Sequence, residues 1–69
     1  MSVFNFLNAS NFYGDSVMIY IVENGTEYTL NNKNDIPDFL KNRVIKDIEF
    51  YTNIEDYNCT VLEVWITVK

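Results

Sequence analysis

The dipeptide Asn24-Gly25 lies between Val17-Met18-Ile19-Tyr20-Ile21-Val22-Glu23 and Thr26-Glu27-Tyr28-Thr29-Leu30, and it constrains this chain more than any other feature. Both flanking runs are rich in β-branched and aromatic residues. Asn-Gly is the pair best suited to the positive φ angles of a type I′ hairpin turn. A two-residue loop also fixes register. Glu23 then faces Thr26, Val22 faces Glu27, Ile21 faces Tyr28, Tyr20 faces Thr29 and Ile19 faces Leu30. Alternation puts Ile19, Ile21, Tyr28 and Leu30 on one face, and Met18, Tyr20, Val22, Glu27 and Thr29 on the other.

After the polar stretch 31–34, Asp35 is suited to cap a helix, Pro37 to its first turn and Asp38 to its positive end. Ile36, Phe39, Leu40 and Val44 recur at the spacing of one buried helical face, which predicts a helix over residues 36–44. Lys41, Arg43 and Lys46 cluster at its far end, where positive charge is favourable. Residues 46–51 alternate with Ile48 and Phe50 inward, and 53–58 read as a polar loop. Residues 60–68 read as the longest strand, with Leu62, Val64, Ile66 and Val68 on one face and Val61, Glu63, Trp65 and Thr67 on the other. The order ββαββ predicts an α+β fold, a small antiparallel sheet of about four strands with one short helix packed on one face. The 69 residues make a single domain. Residues 17–69 form its core, and residues 1–16 serve as an extra strand or a covering arm.

Composition removes whole classes of chemistry. Ten acids against five bases give a formal charge of −5, with no histidine and one cysteine. Direct nucleic-acid binding is not expected, because nothing on such a surface displaces phosphate counterions. The absence of histidine removes His-dependent triads and most zinc sites. Cys59 lacks a histidine to activate it and a partner for an internal disulfide. There is no P-loop, EF-hand loop, glycine-rich dinucleotide turn or Cys-x-x-Cys pair. No enzyme activity, cofactor or metal is expected. No apolar run approaches a membrane span and no basic residue precedes the apolar start, so a cytoplasmic protein without membrane contact is expected. The sequons at Asn8, Asn24 and Asn58 are read as chance among ten asparagines.

The face opposite the helix should be polar if it met only water. Instead it carries Met18, Tyr20, Val22, Tyr51, Val61 and Trp65, with Glu27, Asp47, Glu49 and Glu63 among them. Three occupants suit such a face. The amino-terminal apolar residues Val3, Phe4, Phe6, Leu7, Phe12 and Tyr13 can fold back on it, a second copy can pair with it, or another macromolecule can bind it. Charge is unevenly spread: residues 1–32 hold three acids and no base, residues 33–46 two acids and four bases, and residues 47–69 five acids and one base. This acidity reads either as solubility and edge protection or as complementarity to a basic groove on another protein, including one built to hold nucleic acid.

Asparagine, isoleucine, tyrosine and phenylalanine are all abundant, a bias that AT-rich genomes impose. In build, this short, acidic, cysteine-poor ββαββ chain resembles the small accessory proteins of bacteriophages and other mobile elements. That resemblance implies a protein that binds a host enzyme, nucleases and other defence machinery included. The sequence therefore leads to a non-enzymatic binding protein that inhibits or modulates a host protein with a basic surface. Trp65, Tyr20, Tyr51 and Val61 would be its apolar anchors, with Glu27, Asp47, Glu49 and Glu63 supplying charge. The alternative is a homodimeric structural or assembly protein whose outer sheet face is a self-interface.

Overall fold

A computed structural model of the chain describes residues 1–10, 17–56 and 59–69. Among them the elements run α1 (Val3–Ala9), β1 (Val17–Glu23), β2 (Thr26–Leu30), a 3-10 turn (Lys33–Asp35), α2 (Asp38–Lys41), β3 (Ile45–Asp56) and β4 (Cys59–Val68). The strands form a four-stranded sheet in the order β2-β1-β4-β3. The protein is thus a small α+β fold. The expected first hairpin is present residue for residue, from Ile19 opposite Leu30 to Glu23 opposite Thr26. Asn24 and Gly25 take φ values of 50° and 83°, as the type I′ turn requires.

The sheet is mixed rather than wholly antiparallel. β1 and β4 run parallel at its centre, and each pairs antiparallel with its outer neighbour. The reason lies in residues 31–44, which leave β2 on one edge and deliver β3 on the other. Three inter-strand spacings of about 4.8 Å separate those edges. The crossing also returns the chain to the end where β2 began, so β3 runs parallel to β2. Its hairpin partner β4 then runs parallel to β1.

The helix in this crossing is one turn long, Asp38–Lys41, instead of spanning 36–44. Ile36 precedes Pro37 and is held extended at φ −61°, ψ 126°, because a following proline disfavours the α region. Pro37 therefore becomes the cap, without a side-chain hydrogen bond, and Asp35 falls in the preceding 3-10 turn that Asn32 caps. One turn cannot bury a long stripe. Ile36 and Leu40 enter the core, whereas Phe39 is 57% exposed and Val44 47% exposed. Phe39 instead stands edge-on to Tyr28, with ring centroids 5.5 Å apart.

The missing helical mass is supplied by the amino-terminal segment. Ser2 accepts a hydrogen bond from the Asn5 N–H and starts α1, whose Val3 and Leu7 are buried. Both join one apolar cluster with Leu40, Ile19, Ile21, Val64 and Ile66. Residues 1–10 therefore pack on the same face as α2. They neither extend the sheet as a full strand nor cover its opposite face; Phe12 and Tyr13 lie outside the described residues. The start of the chain is tied to the start of β3 by Val3 N–H to Arg43 C=O at 3.0 Å and Ile45 N–H to Met1 C=O at 2.9 Å.

β3 continues through 53–56, which the sequence reads as loop, and at 12 residues it is longer than the 10-residue β4. Tyr57 and Asn58 lie outside the described residues. The hairpin it forms with β4 outruns the helices and accounts for the 37 Å long axis of the molecule. Phe50, expected inside, pairs with Val64 on the helical side yet is 55% exposed.

Candidate functional site: the sheet face away from the helices

Strand pairing turns the outer face into an ordered grid. One row across the sheet reads Thr29, Tyr20, Trp65, Glu49; the next reads Glu27, Val22, Thr67, Asp47; a third reads Met18, Glu63, Tyr51. Asn53 and Val61 follow as a pair. All eight residues singled out in the sequence (Trp65, Tyr20, Tyr51, Val61, Glu27, Asp47, Glu49 and Glu63) thus share one face. They are not equivalent there. Val61 is only 6% exposed and backs the face without offering surface, while Tyr51 is 50% exposed. Glu27 stands at the β2 edge, away from the carboxylates of β3 and β4. Asp47 and Glu49 are exposed along β3, and Glu63 is half-buried between them and β1.

The aromatic centre has defined geometry. Tyr20 and Trp65, opposite each other on β1 and β4, stack with centroids 4.3 Å apart and planes 15° off parallel. The Trp65 indole N–H donates to Glu63 Oε1 at 3.2 Å, and Asn53 Nδ2 donates to Glu63 Oε2 at 3.3 Å. On the neighbouring strand the Tyr51 hydroxyl donates to Glu49. Glu49 and Glu63 are therefore oriented by residues two positions along their own strands and, for Glu63, by Asn53 diagonally across the ladder. Between the strands lies a shallow depression of about 410 Å³, lined by Glu49, Tyr51, Glu63, Trp65 and Thr67.

The hydrogen bond to Glu49, and then the negative charge of Glu49, hold the Tyr51 phenol above its ordinary value of 10.0. A raised value favours the neutral phenol, so the contact is complete below the ordinary tyrosine range and disappears as pH rises through the shifted one. Absorbance at 295 nm should show a tyrosine titrating above the ordinary range, removed by Tyr51→Phe and returned toward that range by Glu49→Gln. A Tyr51 midpoint indifferent to Glu49→Gln would mean that the bond does not form in solution.

Thr67 and Asn53 belong to the site but were not singled out. Thr67 was legible on the face by alternation with Trp65. Asn53 was hidden by the loop reading, although Asp47, Glu49, Tyr51 and Asn53 continue one period-two series. Among the described residues, no group of three or more His, Cys, Asp and Glu side chains is placed to hold a metal ion, and no helix is long and apolar enough to cross a membrane. Compared with known protein families, curated proteins and solved structures, the chain matches none.

Proposed function

We propose that the protein is a small non-enzymatic binding protein whose outer sheet face docks on a positively charged surface of another protein, and so inhibits or modulates it. One observation carries this reading: the helices cover the other face, and the outer face presents an aromatic stack among carboxylates. Across the described ladders Glu27, Asp47, Glu49 and Glu63 face no lysine or arginine, and Lys46 adjoins Asp47 at the register shift near the start of β3. Aromatic anchors inside a charged rim are what protein-recognition surfaces use, and the uniform sign selects partners of the opposite sign. The same uniform sign opposes self-pairing, since two copies would bring four carboxylates against four. The accessory-protein build of the sequence fits a host protein as the target, with a nucleic-acid-binding groove as one basic surface of suitable shape.

Light scattering during size exclusion tests this against the self-interface. The wild type is expected to elute at the 8.1 kDa monomer mass at low and high salt. A dimer that Trp65→Ala converts to a folded monomer, checked by circular dichroism, would overturn the proposal in favour of the assembly reading.

A further inference from the structure

We propose that the depression beside Trp65 is a receptor for an arginine side chain presented by a partner protein. This deepens the reading of the outer face as a docking surface and rests on it. Tyr20 covers one face of the Trp65 indole at 4.3 Å and does not line the depression. The indole face turned away from Tyr20 is therefore the one that bounds it. Across the ladder from that ring stands Glu49, and diagonally Tyr51, whose own cross-strand partner is Glu63. A ligand entering here meets an open π-face on one side and a carboxylate on each of two strands.

A guanidinium matches these features. It is planar, weakly hydrated and stacks on indole, and its fork of five N–H donors satisfies carboxylates from the edge while its plane lies on the ring. An ammonium is a compact, strongly hydrated charge that gains less from a flat aromatic wall. Anions are repelled by Glu49 and Glu63. Both carboxylates are already oriented, by Tyr51 and by Trp65 with Asn53, so little side-chain freedom is lost on binding.

The arginine must come from a different protein. The chain has one arginine, Arg43, and its guanidinium is engaged with Glu23 Oε2 at 2.6 Å and with the Lys69 carbonyl. A second copy has no free guanidinium to insert.

Trp65 is the only tryptophan, so its indole N–H resonance reports on the depression alone, while backbone amides report on the whole face. The probe is a blocked peptide with three arginines spaced by glycine, compared with its lysine and citrulline counterparts. The arginine peptide should shift the indole resonance saturably. The lysine peptide should bind about fivefold more weakly, and the neutral citrulline peptide should give no saturable shift. Glu49→Gln, an exposed change that leaves the core untouched, should weaken the arginine peptide by about fivefold. Equal binding of lysine and arginine peptides, or indifference to Glu49→Gln, would overturn the arginine receptor while leaving the docking face standing. Silence of every outer-face amide with both cationic peptides would overturn the two together.

Discussion

Ile66→Ala should remove most of the stability of this protein. Ile66 is fully buried at the middle of the row Tyr28, Ile21, Ile66, Ile48 that crosses all four strands beneath the helices. Truncating a buried isoleucine in a close-packed core costs about 3–4 kcal/mol, whereas a domain of 69 residues has on the order of 3.5–10 kcal/mol in total. In urea, with a slope of about 1 kcal/mol per molar, the midpoint should fall by about 3 M or vanish into the baseline. Thr67→Ala, one residue along but on the outer face, should cost less than about 1 kcal/mol. Comparable losses at the two positions would mean that the helices do not seal the face they cover.

Reversing Asp47 and Glu49 to lysine should weaken association with a cationic partner by about thirtyfold, roughly 2 kcal/mol for two reversed contacts at a docking face. Both side chains are exposed on an edge strand, so the fold should survive. The control is the double reversal of Asp35 and Asp38 on the helical side, which are equally exposed. Either pair moves the net charge from −5 by four units, to −1. If binding followed overall charge, both variants would lose affinity alike. If it depends on the outer face, the Asp35 and Asp38 variant should stay within about threefold of wild type. Binding of a three-arginine peptide, measured by calorimetry at low salt, separates the two cases, and equal losses would remove the face from the account.

Local chemistry carried the sequence reading where it succeeded. The Asn24-Gly25 turn specified a hairpin down to its cross-strand pairs, and period-two alternation placed Trp65, Tyr20, Tyr51 and the four acids together before any topology was known. What stayed hidden depended on long-range choices. Nothing local says that β1 and β4 lie side by side in parallel, because that pairing follows from how residues 31–44 cross the sheet. The helix length went astray through a local rule given too little weight, the restriction that Pro37 places on Ile36. The first helix was legible in principle, with Ser2 as a cap and Val3, Phe6 and Leu7 at helical spacing. It was masked by a competing role for the same apolar residues as a cover for the other face.

The two ends of the chain meet at one point of the fold. The Ile45 N–H reaches Met1 C=O at 2.9 Å, and the Lys69 N–H reaches Val44 C=O at 3.0 Å, on adjacent residues. At about 3.4 Å per extended residue, a linker of a few glycines spans such a gap. Joined there, the chain becomes a ring whose strands keep their neighbours, and the Asn24-Gly25 turn, at the same end of the sheet, offers a place to open it. A circular permutant of this kind would carry its termini at the tip of the first hairpin and leave the seam beside Val44 continuous.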